Sequence, residues 1–414
     1  MSISALNRAI IDGDTREVER ILEAAGVSAN TLLTNRSWLG KYSGYTPLMI
    51  ACAEGNQNIV RVILFHSLDH ASVRISTGLT PLMVAAIGGY SEIVRMLITA
   101  IDGNDVVLNS KRTADGATAL IIACQQGNTG VIRALFHEER LGPNPNVGDN
   151  LGNTPLIYAA IQRGRSDIIE KLIQMGANVN GRNKMDRTAL MAACISGSAS
   201  IVELLVRRGA ALNIVRKPDG ATALLLAIHH NNREAAGKLI ESGANVNTGT
   251  IHTNYTPLMA ACEKGTLDLV KKLMGKGANV NARKHDDGFT PLIYASKRES
   301  GTGSTEIVNL LLKYDANVNA ATNGYRSTAL MWASFKGNEG AVSSLLHNKA
   351  NPEIKTTNGK TALTFATLGK NARIVNMLTK VKKEKQEKKG VTRKSEGGKK
   401  RLDDDILRAL LKRI

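Results

Sequence analysis

A six-residue phrase, Thr-Pro/Ala-Leu-x-x-Ala, recurs along almost the whole of this 414-residue chain. The copies follow one another at intervals of 33 to 42 residues. Repeats of this length are typical of stacked supersecondary units, in which each unit buries its apolar side against its neighbours. The phrase therefore predicts a solenoid and not a globule around one closed core. The copies begin at Thr46, Thr80, Thr118, Thr154, Thr188, Thr222, Thr256, Thr290, Thr328 and Thr361, after a degenerate copy at Ser4.

Each copy opens a short helix that is followed by a second, amphipathic helix. In the copy at Thr256, the hydroxyl suits a helix N-cap and Pro257 suits the first helical position. Gly265 predicts the end of this helix, and residues 269–274 carry apolar side chains at helical spacing. Asn, Asp and Gly in residues 279–288 then predict an extended turn that leads to the next threonine.

These features resemble those of the ankyrin-repeat family. The resemblance rests on the T-P-L-x-x-A phrase, on a glycine nine residues after many of its threonines, and on G-A-N-V-N at 176–180, 243–247 and 277–281. It covers residues 1–379 and implies an all-α, ankyrin-type helix-turn-helix solenoid of about eleven repeats with hairpin-like turns. We number these repeats 1 to 11 in chain order.

The four cysteines occupy one slot of the repeat, six residues after its threonine. Other repeats place small or medium side chains such as Ala86 and Ser296 in this slot. Cysteine behaves as a small hydrophobic residue in such places, so we expect buried packing and neither a metal site nor disulfides. No cofactor is predicted. The cysteines are Cys52, Cys124, Cys194 and Cys262.

Beyond residue 379 the composition changes. Residues 380–401 contain eleven Lys or Arg and three Glu, which predicts a disordered basic linker. Residues 402–414 predict an amphipathic helix that is too short to be stable alone and therefore docks on its own array or on another protein. Its apolar face comprises Leu402, Ile406, Leu407, Leu410, Leu411 and Ile414.

The sequence contains no pattern typical of a catalytic site or of a membrane span. Its eight histidines are scattered without ligand spacing, and no glycine-rich phosphate loop is present. No segment has the roughly 20 apolar residues that span a bilayer, and the N-terminus has no secretory pattern. We therefore expect a non-enzymatic protein of the cytoplasm, or of the nucleus.

In the family that this chain resembles, partners bind the concave face formed by the turn tips and the first helices. On that face, repeats 8 to 10 combine aromatic and cationic side chains, a composition found in interface hot spots. An ordinary solvated surface with half-buried aromatics is the alternative. The residues predicted to bind a partner are Tyr255, Lys264, Phe289, Lys297, Arg298, Tyr325, Phe335 and Lys336, together with His229 and His230 of repeat 7.

Two functions remain open at this stage. The favoured hypothesis is a protein-interaction scaffold or adaptor whose partner presents an acidic surface. The second is a nucleic-acid-associated or nuclear regulatory role, in which the basic linker and the basic concave face contact phosphate. A net charge of +18 suits both hypotheses.

Overall fold

The computed structural model describes residues 3–25, 40–137, 142–299 and 304–395. These residues form pairs of short helices joined by turns, and they divide into two compact parts, Met1–His252 and Thr253–Ile414. The only β-pairing within the described ranges is an isolated antiparallel bridge between Ala321 and Thr328. The prediction of an all-α stack of helix pairs is therefore confirmed.

The first part contains repeats 1 to 7. Its described residues also form a short extra helix, Asp105–Leu108, and 3-10 turns at Gly40–Tyr42 and Leu68–Ser72. The helix pairs of repeats 1 to 7 are Ile3–Asp12 with Thr15–Ala25, Pro47–Glu54 with Gln57–His66, Pro81–Gly88 with Ser91–Ile101, Ala119–Gln126 with Thr129–Leu135, Pro155–Ile161 with Ser166–Gln174, Ala189–Ser196 with Ala199–Arg207, and Ala223–His229 with Arg233–Glu241.

The second part contains repeats 8 to 11. Its last helix continues to Ser395, whereas the sequence predicted that the array ends at residue 379 and that a disordered linker follows. Lys, Glu and Gln dominate residues 380–389 and favour helix, so the helix does not stop at the array boundary. Residues 396–414, with the predicted docking helix, lie outside the described residues. The helix pairs are Pro257–Lys264 with Leu267–Gly275, Pro291–Ser296 with Ser304–Lys313, Ala329–Lys336 with Glu339–His347, and Ala362–Leu368 with Ala372–Ser395.

The repeated phrase builds the start and the core of each first helix. In repeat 8, the Thr256 hydroxyl accepts a hydrogen bond from the backbone N–H of Met259 at 3.3 Å. Gly265, in the left-handed conformation, ends the helix. Leu258, Ala261 and Cys262 are at most 1% exposed. All four cysteines are buried, as their slot in the repeat predicts, and burial raises the pKa of each thiol.

Backbone hydrogen bonds join the tips of successive turns. In the first part, the N–H of Lys184 donates to the carbonyl oxygen of Leu151 at 3.0 Å. In the second part, the N–H of Asn323 donates to the carbonyl oxygen of Asp287 at 2.7 Å. These bonds satisfy turn groups that would otherwise depend on water, and they align the tips into a row. The described part of the chain contains no helix long and apolar enough to cross a membrane.

Two glycines at equivalent turn positions test how much this tip contact contributes to stability. Gly288 and Gly359 have φ values of 70° and 71°. A Cβ on Gly288 would lie 2.7 Å from the backbone nitrogen of Asn323, whereas a Cβ on Gly359 would meet nothing within 4 Å. Gly359→Ala should lower the free energy of unfolding by about 1 kcal/mol through backbone strain alone. Gly288→Ala should cost at least about 1 kcal/mol more, because the next tip must also move.

Urea denaturation of the full chain, followed by circular dichroism, measures this difference. Equal losses in the two variants would show that contact between neighbouring tips adds nothing to stability.

Candidate partner-binding surface

The ten residues predicted to bind a partner are distributed over both parts of the molecule. Eight lie in repeats 8 to 10 of the second part, whereas His229 and His230 belong to the first part. The two histidine rings are exposed and pack edge to face, with centroids 5.4 Å apart. They are therefore a local feature of repeat 7, and we describe the other eight residues separately.

Four aromatic rings of repeats 8 to 10 form a connected series, which we call the aromatic row. Tyr255 lies 5.7 Å from Tyr294, Tyr294 lies 5.2 Å from Phe289, and Phe289 lies 6.1 Å from Trp332, measured between ring centroids. Tyr294 is buried, and the other three rings are partly exposed. Contacts at these distances are favourable for aromatic pairs, so the rings support one another and present a shared surface.

The repeat geometry explains why these rings meet. Tyr255 and Phe289 each end a turn, directly before the threonine that caps the next helix. Tyr294 and Trp332 stand four residues after the threonines of repeats 9 and 10, on the first helices. A ring at the end of a turn thus contacts a ring on the first helix of its own or the next repeat.

The ammonium group of Lys297 lies over the aromatic row. Its Nζ atom is 5.5 Å from the centroid of Phe289 and 5.4 Å from that of Trp332. Such cation–π contacts contribute about 0.5–1 kcal/mol at exposed sites. Lys297 is exposed, so the row presents a positive charge together with its apolar rings.

A second aromatic pair lies in repeats 10 and 11. Phe335 is 39% exposed and packs edge to face on Phe365, with centroids 6.4 Å apart. Phe365 is buried and anchors this pair in the core. Tyr325 is 40% exposed at a turn tip, and its backbone carbonyl accepts the N–H of Thr357. Neither Phe335 nor Tyr325 makes a ring contact with the aromatic row in the described structure.

Arg298 has a structural role in the described fold. Its Nη1 atom donates to the backbone carbonyl of Glu263 at 2.5 Å, and its guanidinium covers Gly265, which ends the first helix of repeat 8. The side chain thus joins repeat 9 to the end of a helix in repeat 8. Because Nη1 is bonded within the chain and Nε is buried, Arg298 is poorly placed to contact a partner.

Two lysines of the predicted set, Lys264 and Lys297, are not used in ion pairs within the described residues. Lys336 lies 3.4 Å from a carboxylate oxygen of Glu299, and Lys284 lies 3.0 Å from oxygens of both Asp286 and Asp287. Glu263 accepts a hydrogen bond from the hydroxyl of Tyr255. Among the described residues, Lys264 and Lys297 form no ion pair. With Arg298, five cations stand against four carboxylates around the aromatic row, so this surface keeps a small net positive charge.

Sequence reasoning missed Tyr294 and Trp332, which hold the aromatic row together. The candidate positions were the turn tips and the seventh and eighth residues after the threonine. The fourth position carries an aromatic residue in repeats 5, 9, 10 and 11, namely at Tyr158, Tyr294, Trp332 and Phe365. That clustering of rings near the end of the array was a usable signal.

The buried tyrosine of the aromatic row should make stability depend on alkaline pH. Burial raises the pKa of Tyr294 to about 12, whereas an unfolded tyrosine has a pKa near 10. The corresponding stability is present below about pH 10 and is lost as the pH rises towards 12, because only the unfolded ring releases its proton in that range. We expect the wild type to lose about 1–2 kcal/mol more than Tyr294→Phe between about pH 9 and pH 12.

The measurement is the urea midpoint as a function of pH. Tyr314→Phe, at an exposed tyrosine of the second part, serves as the control and should follow the wild type. If the Tyr294→Phe and Tyr314→Phe curves coincide, the protonated ring of Tyr294 does not contribute as described.

The contrasting roles of Arg298 and Lys264 give a second test. Arg298→Ala should lower the free energy of unfolding by about 1–2 kcal/mol, because a charged hydrogen bond to a backbone carbonyl is lost. Lys264→Ala removes an exposed cation without an ion pair and should stay within about 0.5 kcal/mol of the wild type. Urea unfolding of the two variants compares these values, and an Arg298→Ala variant as stable as Lys264→Ala would refute the structural role.

Comparison with known proteins agrees with this architecture. The family profile described as "Ankyrin repeats (3 copies)" matches residues 6–110, 102–183, 160–250, 238–322 and 302–389. Those ranges overlap and cover nearly the whole described chain. Domains of this family generally mediate protein–protein interactions and are typically non-enzymatic modules.

Several curated proteins are similar to parts of the chain. Ankyrin repeat and KH domain-containing protein mask-1 of Caenorhabditis elegans is 31% identical over 234 residues, which are 55% of this chain and 8% of that protein. E3 ubiquitin-protein ligase XBAT32 of Arabidopsis thaliana is 39% identical over 123 residues, 30% of this chain and 24% of the ligase. Putative ankyrin repeat protein FPV031 of fowlpox virus is 35% identical over 96 residues, 23% of this chain and 27% of the viral protein.

The chain thus spans at most 27% of the length of these three relatives. The similarity lies in the repeats, and the proteins that share them differ widely in their names and sources. What the similarity shows is the family and not an individual activity. The profile match agrees with the repeat phrase, with the helix pairs and with the buried alanine and cysteine positions. The chain therefore belongs to the ankyrin-repeat family.

Proposed function

We propose that this chain is a non-enzymatic interaction scaffold whose second part binds a partner protein through the aromatic row, Lys264 and Lys297. The observation that carries the proposal is the connected row of four rings with the Lys297 ammonium group above two of them. Partner binding is the general role of ankyrin repeats, and the choice of this surface is our inference.

The composition of the surface supports a protein partner. Aromatic side chains offer a large apolar contact area at a low entropy cost, and they dominate the binding energy of many interfaces. Three rings of the row are partly exposed, while buried Tyr294 holds two of them in place. A surface of this kind is largely preformed, which reduces the cost of ordering on binding.

The charges favour an acidic partner. The acidic side chains next to the row are engaged within the chain, since Glu263 accepts the Tyr255 hydroxyl and Asp286 and Asp287 pair with Lys284. Lys264 and Lys297 therefore attract carboxylates of a partner and speed its association. Of the other predicted residues, Phe335, Tyr325 and Lys336 can extend the contact towards repeat 10, and His229 and His230 remain a separate prediction.

Nucleic acid is the competing partner, and nuclease treatment and the salt dependence of affinity distinguish the two. Phosphate contacts would make affinity fall steeply with salt, whereas an interface centred on aromatic rings would respond weakly. The aromatic row favours protein because its rings meet one another in tilted and edge-to-face arrangements, whereas a single strand stacks its bases on successive ring faces.

The test compares affinity capture from lysate by three forms of the full chain: wild type, Lys264→Glu/Lys297→Glu, and Lys271→Glu/Lys276→Glu. The control changes two exposed lysines of repeat 8, one on its second helix and one directly after that helix, and alters the net charge equally. We expect a set of proteins that the wild type and the control capture alike and that the Lys264→Glu/Lys297→Glu variant loses by about tenfold or more, with or without nuclease.

Two results would contradict the proposal. If the two double variants capture the same proteins in the same amounts, the partner binds elsewhere. If nuclease removes the captured set from all three forms, nucleic acid mediates the association.

A further inference from the structure

In the first part of the molecule, the tips of the turns that precede repeats 5, 6 and 8 carry exposed aliphatic side chains. Leu151 is 64% exposed, Met185 is 49% exposed and Ile251 is 61% exposed. The intervening turn, before repeat 7, carries exposed Pro218. We call these four residues the apolar tips. Exposed aliphatic residues on four consecutive turns are a row and not scattered single positions, and such patches mark interaction sites.

The spacing of the apolar tips follows from the hydrogen bonds between the turns. Besides the bond between Lys184 and Leu151, the N–H of Lys217 donates to the carbonyl of Met185 at 3.0 Å, and the N–H of Ile251 donates to that of Asp219 at 2.9 Å. Each tip therefore contacts the next. Their separation is set by the stacking of neighbouring helices, which is about 8–10 Å.

The charges around the apolar tips are predominantly positive. The carboxylate of Asp186 lies 3.2 Å from the Lys217 ammonium, and that of Asp219 lies 2.7 Å from the Arg216 guanidinium. Asp149 is buried and accepts the hydroxyl of Tyr158 at 2.6 Å. The exposed cations Arg182 and Lys184 form no ion pair with any described residue. An occupant with carboxylates is thus complementary.

From these observations we propose that the apolar tips bind an extended acidic segment of another protein, with an aliphatic side chain at every third residue. A polyproline II helix has three residues per turn and rises roughly 9 Å per turn, so it presents every third side chain on one face. That repeat matches the spacing of the tips, whereas an α-helix advances only about 5.4 Å per turn and a β-strand alternates its faces. Carboxylates in the segment would lie near Arg182 and Lys184.

This surface differs from the aromatic row, because it lies in the first part of the molecule and contains none of the residues proposed above. The two sites could therefore bind different segments, and either proposal can fail without the other.

The test uses synthetic peptides and fluorescence anisotropy with the full chain. The probe is (Leu-Pro-Glu)4, in which leucine recurs every third residue and proline favours the extended helix. Three control peptides test these properties: (Leu-Pro-Lys)4 reverses the charge, (Ser-Pro-Glu)4 removes the aliphatic side chains, and (Leu-Pro-Glu-Glu)4 keeps four leucines but spaces them four residues apart. We expect the probe to bind with a Kd below about 1 mM and each control peptide to bind about tenfold more weakly or worse.

Matched variants locate the binding site. Leu151→Ser/Met185→Ser/Ile251→Ser should weaken probe binding by about tenfold or more, and Lys184→Glu should weaken it several-fold. The control variant Phe65→Ser/Leu68→Ser/Val106→Ser removes three other exposed apolar side chains of the same part and should bind as the wild type does. Circular dichroism verifies that all variants fold.

The proposal is overturned if the wild type does not bind the probe, if the two triple variants bind it equally, or if the peptide with fourfold spacing binds as tightly as the probe.

Discussion

The structure depends on the burial of each first helix against its neighbours. Apart from the last helix, the paired helices have six to eleven residues. Such a pair cannot bury its apolar side alone, and helices this short are unstable in water by themselves. The alanine five residues after each threonine is at most 2% exposed, although it contributes little apolar area itself. Its small size permits close approach of neighbouring helices, and this approach lets larger residues such as Leu258 and Leu330 fill the space between repeats. Stability is thus a property of neighbouring repeats and not of any single repeat.

This constraint separates the residues that hold the stack from those that are free to vary. In repeats 2 to 10 the threonine caps, the alanines and the cysteine slot are buried, so nearly any change there would disturb packing. Turn tips and the seventh and eighth positions reach the surface and differ from one repeat to the next, and the fourth position, although buried in most repeats, is half-exposed at Trp332. The aromatic row and the apolar tips are both built at such positions. One regular backbone therefore presents chemically different surfaces in its two parts, aromatic and cationic in the second and aliphatic and cationic in the first.

The predicted binding residues show why surface function is harder to read from sequence than the fold. Tyr255 and Phe289 were placed on the surface, yet their common support, Tyr294, was not recognised. Arg298 has the charge expected of a contact residue, but its guanidinium covers Gly265 and bonds to the carbonyl of Glu263. Lys336 is paired with Glu299, which follows Arg298 in repeat 9. In each case the deciding contact joins residues of neighbouring repeats, or a residue of a turn and a residue of a helix. The spacing of residues in the sequence does not predict such a contact.

The sequence by itself determined the fold and the place where each first helix begins. Within one repeat, a threonine caps the first helix, a glycine often ends it, and apolar residues follow at helical spacing. These signals are local, so the sequence is sufficient to predict the helices. Only the tertiary structure decided which cations stay available, which rings meet and which turn tips form a row. These properties arise from contacts between repeats, where a side chain such as Arg298 either pairs within the chain or remains open to a partner. Burial and pairing across the stack, which no single repeat specifies, therefore set the chemistry of the surface.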